Sequence, residues 1–370
     1  MIPLPLVLAA CLMLSLTPLL FSEPQFSVTR GYSCAQCHVN RTGGGMRNAF
    51  GRVFSRTEMG VKPRRPSDAA ALSTDTLSML EAGADLRAAF CALFNPSPAE
   101  GLYFSEFKVQ EARLFGKASP LRRHLSLVLD LSLSSRVLSE QALVREAFVM
   151  WESPGLSWHA KAGRFYQPFG TRLADDAAYT RQATGFNFDN SDIGVEAGVD
   201  KPFFNAAVSL TNGSQGRPED NRGKNACARS EVILRGIFVG GSLSYNRDER
   251  NGTERTMGGP ALGWHWGRFS FLSEADWILD HSPAGDTRRL AALVEGDFLV
   301  RSGLFLKVEH SYYDEALGVA HNGRTLTRYG AECTPFPFMQ FRLFYDDFRF
   351  VPQNLAGNRD QVFLEAHAFF

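Results

Sequence analysis

The chain has 370 residues, and its 39 Lys and Arg balance its 39 Asp and Glu, so its formal net charge is zero. A balanced charge argues against a nucleic-acid partner, because phosphate backbones are bound by basic surfaces. The mean hydropathy of −0.16 excludes a bundle of membrane helices. The length allows a small domain followed by one large domain.

The N-terminus predicts a secretory signal peptide over residues 1–22. Met1 to Phe21 carry no charged side chain, and an apolar stretch in this position is typical of a signal rather than of a membrane span. A lipoprotein cleavage box ending at Cys11 is the weaker alternative, because an apolar segment rather than a polar tether follows that cysteine. We therefore expect the chain to leave the cytoplasm.

A haem-attachment motif follows the predicted signal. Cys34, Cys37 and His38 stand in the order C-x-x-C-H. Two thiols one helical turn apart can form thioethers with the two vinyl groups of a haem, and the adjacent His supplies an axial nitrogen to the iron. Haem is attached in this way outside the cytoplasm, which agrees with the signal. We predict one covalent haem c on these three residues, with His38 as an iron ligand.

Other roles of a C-x-x-C pair find less support. A thioredoxin-like redox pair would need a βαβ context, and a zinc site would need a second ligand pair at metal spacing. Neither is found near the motif. A disulfide between Cys34 and Cys37 remains as the alternative to haem.

The second axial ligand is open to three candidates. Met46 follows His38 by only eight residues, which leaves little chain for crossing to the other face of the haem. Met59 leaves room for the chain to turn back, and a histidine from elsewhere, such as His124, is the third candidate. Methionine ligation would raise the reduction potential relative to two histidines. We take Met59 as the predicted second ligand.

Composition divides the chain after residue 62. Residues 23–62 form the predicted haem segment, in which Gly43–Gly45 would let the backbone adopt positive φ or approach the haem closely. Residues 63–77 are polar with two prolines and are typical of a linker. A segment of about forty residues is marginal for an independent core. It is therefore expected to use the haem as its core or to lie inside the larger domain, residues 78–370.

The larger domain has the period of β-strands. Over residues 122–136, leucines occupy every second position from Leu125 to Leu133, and polar residues such as Ser126 and Asp130 lie between them. This alternation predicts a strand with one apolar face, because a helix would spread alternate leucines around its circumference. Similar runs recur to the C-terminus, and we count about 16 strands.

Many amphipathic strands can form either a soluble sandwich or a membrane barrel. A sandwich of this size exceeds the usual domain, whereas strands of about ten residues with aromatic clusters at their ends match transmembrane barrels. The last strand, residues 361–370, ends on Phe370 with Glu365 and His367 on its inward face. We predict an all-β fold: a transmembrane antiparallel β-barrel of about 16 strands, with the haem segment as a plug.

One connection within the predicted barrel is unusually long. Residues 162–186 carry Arg172, Asp175, Asp176 and Arg181. This stretch either folds into the lumen or lies over the mouth, and an exposed charged loop is its simplest interpretation.

Together these features resemble the fused monohaem cytochrome–porins of the bacterial outer membrane, whose best-known members are iron oxidases. The resemblance rests on the single C-x-x-C-H motif, the Gly-rich and Phe-Gly segment ending at Phe50-Gly51, the stretch 163–170, and the barrel closing on Phe370. It implies haem c on the motif residues and electron transfer across the outer membrane of a Gram-negative bacterium.

Three functions are compatible with these predictions, all in outer-membrane lipid. The first is electron exchange between an extracellular donor or acceptor and periplasmic c-type cytochromes. If the donor is Fe(II), this function is an enzymatic Fe(II) oxidation. Iron could then be attracted at the mouth by two acidic pairs, Asp175–Asp176 and Asp346–Asp347, which are otherwise solvated loop charges. The second is a diffusion porin with an accessory N-terminal domain. The third is the barrel sheath of a larger conduit whose main haems lie in other chains.

Overall fold

The structure is a computed structural model that describes residues 25–62, 79–94, 102–121, 124–133, 144–173, 175, 177–186, 190–215, 219, 221–234, 236–351 and 357–369. The predicted signal peptide, residues 1–22, and the predicted linker, residues 63–77, lie outside the described residues. Within the described ranges, no helix is both long enough and apolar enough to cross a membrane.

Sixteen antiparallel strands form one closed barrel, in which each strand pairs with its neighbours in sequence and β1 pairs with β16. The strands are β1 Leu80–Phe94, β2 Leu102–Ala118, β3 Leu125–Ser132, β4 Val144–Glu152, β5 Trp158–Phe165, β6 Asp192–Asp200, β7 Phe204–Thr211, β8 Asn225–Leu234, β9 Ile237–Asp248, β10 Thr253–Trp266, β11 Phe269–His281, β12 Thr287–Arg301, β13 Leu304–Asp314, β14 Gly323–Phe336, β15 Met339–Arg349 and β16 Arg359–Phe369. The predicted all-β antiparallel barrel is confirmed.

Each strand separates an outer apolar face from an inner polar face. On β3, Leu127 and Leu129 are 46% and 41% exposed on the outside, whereas Ser126 and Asp130 are each 1% exposed. This is the face assignment that the alternation predicted, although β3 is shorter than the predicted run 122–136. Because apolar side chains face outward around the barrel, its outer surface suits lipid, as in Gram-negative outer-membrane barrels.

The two rims of the barrel differ. At the rim that holds the start of β1 and the end of β16, neighbouring strands are joined by short turns, as at residues 267–268 and 302–303. The opposite rim carries longer connections, of which residues 166–191 are an example. Short turns face the periplasm in bacterial outer-membrane barrels, and longer loops face outward.

Residues 25–62 lie inside the short-turn end of the barrel and form the predicted plug. Their helices are α1 Gln25–Arg30, α2 Cys34–Cys37 and α3 Ala49–Thr57. Val28 is completely buried against luminal side chains that include Phe238 and Leu272. At the other end of the segment, Val61 N–H donates to the carbonyl of Thr334 over 2.8 Å. The plug is thus fixed to the wall at both of its described ends.

The described part of the long connection 166–191 folds into the lumen, so its interpretation as an exposed charged loop is wrong. It contains the helix α4, Tyr179–Thr184, which packs against the inner faces of β11, β12 and β13. Phe169 and Phe186 stack with ring centroids 4.5 Å apart and are both buried. Its sequence is polar because the lumen that it enters is polar. We call the described part of this connection the inward loop.

Candidate cofactor site

The C-x-x-C-H residues, Cys34 to His38, adopt the helical turn that their spacing predicted. Cys34 to Cys37 form α2, and His38 N–H donates to the carbonyl of Cys34 over 3.0 Å. The side chain of Gln36 accepts a hydrogen bond of 2.9 Å from Ser33 N–H at the start of the helix. Both thiols and the imidazole therefore project from one short, internally bonded turn.

Asn48 joins the motif to α3. Its Nδ2 donates to the carbonyls of Gln36 and His38 over 3.0 and 3.3 Å, and its Oδ1 accepts from Gly51 N–H over 2.9 Å. Gly51 lets the two helices meet, since a Cβ there would lie 2.1 Å from the carbonyl oxygen of Cys37. One polar side chain and one glycine thus set the position of the motif relative to α3.

The glycine-rich turn after the motif brings the chain back beside it. His38 forms an antiparallel bridge with Arg47, and Val39 N–H donates to the carbonyl of Met46 over 2.9 Å. Gly43 has φ of +96°, and a Cβ there would lie 3.1 Å from Sγ of Cys34. The positive φ and the close approach both require glycine.

Polar contacts attach this part of the plug to the barrel wall. The Asn40 side chain donates to Oε1 of Glu146 over 2.6 Å and accepts from Nζ of Lys161 over 2.8 Å. Arg41 forms an ion pair with Glu152 at the short-turn rim. The motif is therefore held inside the lumen by residues of β4 and β5.

A cavity lies between the plug, the barrel wall and the inward loop. About 1470 Å³ of space lies between the atoms that border it, a figure that includes open solvent. Cys34, Cys37 and His38 all line it, together with Met46 and Met59. The two thiols, the imidazole and the predicted second ligand thus border one space inside the barrel.

The motif side chains have the ionisation expected of buried groups. Burial, followed by the positive charge of Arg47, lowers the pKa of His38 to about 4, so its imidazole is neutral near pH 7. Burial raises the pKa of Cys37 to about 11 and also raises the pKa of Cys34. Neutral imidazole is the form that binds iron, and Nδ1 of His38 is buried without a hydrogen-bond partner among the described residues.

The three candidates for the second axial ligand have different surroundings. Met46 lies opposite Val39 and packs with it against the wall, and it also lines the cavity. Met59 packs beside Phe369 and also lines the cavity. His124 does not line the cavity; its Nδ1 lies 3.2 Å from the carbonyl of Glu152 at the rim.

His367 of β16 is a cavity residue that the sequence did not suggest as a ligand. Its Nε2 lies 2.9 Å from Oδ1 of Asp85, and its Nδ1 lies 3.2 Å from Oε1 of Gln340. The strand pattern had placed it on the inward face, which was the only signal in the sequence. Nothing in the alternation reveals that this part of the lumen faces the plug.

Arginines line the cavity, and most of them are paired with carboxylates of the wall. Arg87, Arg113, Arg172, Arg229 and Arg342 all border it. Charge-assisted hydrogen bonds from guanidinium groups to carboxylates are strong and often bidentate. The thiols on one turn, the neutral buried imidazole and the guanidinium groups together fit a covalently attached haem.

Two of the acidic residues predicted at the mouth, Asp175 and Asp346, are paired with Arg328. Oδ2 of Asp175 lies 2.5 Å from Nη1 of Arg328, whose Nε is 2.6 Å from Oδ1 of the fully buried Asp346. Asp347 pairs with Arg349, and Asp176 lies outside the described residues. Among the described residues, no cluster of three or more His, Cys, Asp or Glu side chains could hold a metal ion.

Comparisons by sequence find no relative. No protein-family model matches the chain, and no curated protein matches it.

Comparisons by structure find outer-membrane proteins. OmpT of Vibrio cholerae with loop L8 deleted covers 79% of this chain and 99% of its own, with a TM-score of 0.63 and 14% identity. The anion-selective porin of Comamonas acidovorans gives the same coverage, a TM-score of 0.60 and 10% identity. OmpF of Salmonella typhi, in complex with daunomycin, covers 79% of this chain and 97% of its own, with a TM-score of 0.57 and 14% identity.

At these identities the likeness establishes the fold alone. The barrel is porin-like, and with its outward apolar face it confirms the predicted placement in outer-membrane lipid. The names of these three structures do not mention haem. They therefore support the barrel and do not bear on the plug.

Proposed function

We propose that this porin-like outer-membrane barrel transfers electrons across the membrane through a single haem c attached to its plug. The observation that carries the proposal is the position of Cys34, Cys37 and His38, which face one cavity inside the lumen. A protein barrel isolates that cavity from lipid. Electrons that pass through a cofactor there would therefore cross the membrane inside the protein.

Each residue of the site has a distinct role in the proposal. The thiols of Cys34 and Cys37 attach the haem, the neutral imidazole of His38 binds the iron, and Met59 is the proposed second ligand. Haem c supplies reversible one-electron chemistry at a potential set by its ligands and surroundings. The luminal arginines balance the carboxylates of the haem.

The proposed partners follow from the two rims. The plug lies at the short-turn rim, where a periplasmic c-type cytochrome would exchange electrons with the haem. An extracellular donor or acceptor, iron among them, would approach from the other rim past the inward loop. If the donor is Fe(II), the protein acts as an iron-oxidising cytochrome. If other chains supply more haems, the barrel acts as the sheath of a larger conduit.

Haem staining of the purified, denatured protein tests the proposal first. Wild type is expected to retain haem after denaturation, and the Cys34→Ala/Cys37→Ala variant is expected to lose it, since only thioethers survive denaturation. A redox titration of the visible spectrum, with Fe(II) or a ferric mineral added, then reports the potential and the direction of electron flow. Wild-type protein without covalent haem would end the proposal.

A diffusion porin is the second candidate function, and the comparisons favour it. The similar structures include a porin named as anion-selective, and the inward loop narrows the lumen here. Liposome swelling distinguishes the two functions, with a variant lacking residues 25–62 as the reference for an unplugged barrel. Wild-type swelling as fast as that of the reference would favour the porin, and much slower swelling would favour a plugged lumen.

A further inference from the structure

His159 of β5 lies between two carboxylates of β6. Its Nδ1 is 2.8 Å from Oδ2 of Asp200, and its Nε2 is 3.1 Å from Oε1 of Glu196. His159 and Glu196 are 3% and 2% exposed, whereas Asp200 lines a groove at the short-turn rim. An imidazole with a carboxylate at each nitrogen can accept a proton on one nitrogen and release a proton from the other.

The alternation of β6 accounts for this arrangement. Glu196, Gly198 and Asp200 lie on its inner face, and Gly198 is the cross-strand partner of His159. A Cβ on Gly198 would lie 2.3 Å from Cε1 of His159, so glycine is needed there for the ring to lie between the two carboxylates. Lys161, the next inward residue of β5, lies 3.0 Å from the same Glu196 oxygen and compensates its charge.

Four buried polar atoms beside and beyond Glu196 have no hydrogen-bond partner among the described residues. They are Oε2 of Glu196, Oγ of Ser209, Oγ1 of Thr211 and Nε2 of Gln167. None of these residues is more than 6% exposed. Ser209 is the cross-strand partner of Glu196, and Thr211 is the next inward residue of β7 and its last. The atoms therefore follow the wall from Glu196 toward the opposite rim.

Gln167 brings the inward loop to the same part of the wall. Its Oε1 accepts hydrogen bonds from Nδ2 of Asn225 over 2.5 Å and from Sγ of Cys227 over 3.2 Å. Asn225 and Cys227 of β8 are the cross-strand partners of Thr211 and Ser209. A carboxylate oxygen, two hydroxyls and an amide NH2 thus face one buried stretch. Water suits this mixture of acceptors and donors, whereas the amide NH2 disfavours a cation.

We infer that water bound at these atoms, together with His159, conducts protons past the plug. A proton from the rim groove reaches Asp200 and passes to Nδ1 of His159. The proton on Nε2 passes to Glu196 and then through water along Ser209 and Thr211 toward the opposite rim. Rotation of the ring about χ2 restores the starting tautomer. One proton therefore leaves the route for each that enters, and only N–H and O–H bonds form and break.

The route is suited to protons rather than to solutes. Except for Asp200, each of its side chains is more than nine-tenths buried, so the wall leaves no passage for a solute along it. A proton needs only a continuous series of hydrogen bonds. The route therefore remains available when the plug occupies the lumen.

Proton entry into liposomes tests the inference. The liposomes contain the purified protein and the pH-sensitive dye pyranine, with potassium and valinomycin present to cancel the membrane potential. After an external acid step, wild type is expected to acidify the interior faster than liposomes without protein do. Ser209→Val should lose this excess rate, because an apolar side chain displaces water and removes the hydroxyl between Glu196 and Thr211.

Ser311→Val is the matched control. Ser311 of β13 is also buried on the inner face, and its Oγ likewise has no hydrogen-bond partner among the described residues, but it lies away from β6 and β7. This variant should keep the wild-type rate. If Ser209→Val does not form the barrel, Thr211→Val replaces it, since valine has the shape of threonine without the hydroxyl.

His159→Gln tests the relay itself. An amide can hydrogen-bond to Asp200 and Glu196, but it has no titratable nitrogen to accept a proton. Loss of the excess rate in this variant and in Ser209→Val, with Ser311→Val unaffected, supports the route. An excess rate that both variants keep overturns it, and so does a wild-type rate equal to that of liposomes without protein.

The result does not depend on haem. No group of the route is a proposed haem ligand, so the haem-free Cys34→Ala/Cys37→Ala chain is expected to show the same excess rate and the same loss with Ser209→Val. Haem staining that fails in wild type would end the proposed function and leave this expectation unchanged. An excess rate that the haem-free chain keeps despite Ser209→Val would overturn the proton route alone.

Discussion

Asn40 of the plug and Glu146 of β4 are joined by a buried hydrogen bond of 2.6 Å, although 106 positions separate them in the sequence. Oδ1 of Asn40 also accepts from Lys161. The amide side chain of Asn40 is therefore hydrogen-bonded to an acidic and a basic residue of the wall at the same time. This link makes Asn40 a determinant of how firmly the plug sits in the lumen.

Replacing Asn40 with Leu is expected to loosen the plug. The change leaves Glu146 and Lys161 without their amide partner, at a cost of about 1–3 kcal/mol. Single-channel recordings should then show more frequent open events than wild type. The control is Asn251→Leu, since Asn251 bonds to Asp248 on an exposed hairpin. Identical recordings for the two variants would contradict a plug held by Asn40.

Gly51→Ala is expected to reduce the yield of haem-loaded protein. The new Cβ would lie 2.1 Å from the carbonyl oxygen of Cys37, so α3 must move away from the motif. Overpacking of this kind costs about 1–3 kcal/mol. The measurement is haem per barrel, from the visible spectrum and the protein concentration. Gly116→Ala is the control, because a Cβ on Gly116 of β2 meets nothing within 4 Å, and equal haem content in both variants would refute the prediction.

The two methionines of the plug are expected to differ in their effect on the haem spectrum. Met59→Leu should abolish the near-infrared band of methionine-ligated ferric haem and lower the potential, because methionine ligation raises it. Met46→Leu should leave the spectrum unchanged, since Met46 follows His38 by only eight residues and packs with Val39 against the wall. If the spectrum is unaltered in Met59→Leu but changed in His367→Gln, the second axial ligand is His367 rather than Met59.

Acid is expected to loosen the plug of the haem-free chain. The pKa of His38 is about 4 in the folded protein and about 6.5 in an unfolded chain, so the undocked plug binds a proton first. The free energy that favours the docked over the undocked plug is therefore largest above about pH 6.5. It decreases as the pH approaches 4, by at most roughly 3 kcal/mol. Conductance of Cys34→Ala/Cys37→Ala should rise over this interval. Adding His38→Gln to this variant should remove the dependence of conductance on pH. If the conductance of the triple variant still rises in acid, groups other than His38 cause the rise.

The sequence by itself determined the barrel and the local geometry of the C-x-x-C-H motif. Strand periodicity is local, because side chains alternate between two faces whatever the strand pairs with. Leu127 outside and Asp130 inside could therefore be assigned before any partner was known. The spacing of Cys34 and Cys37 is equally local, since one helical turn fixes the relative position of the two thiols.

Only the tertiary structure decided what fills the lumen. A porin lumen is polar, so a loop that enters it has the same composition as a loop exposed to water, and the charges of the inward loop could not reveal its direction. The position of His367 and the contact of Gly51 with Cys37 likewise depend on which surfaces meet when the barrel closes. That closure is set by side-chain complementarity between distant segments, which no local pattern encodes.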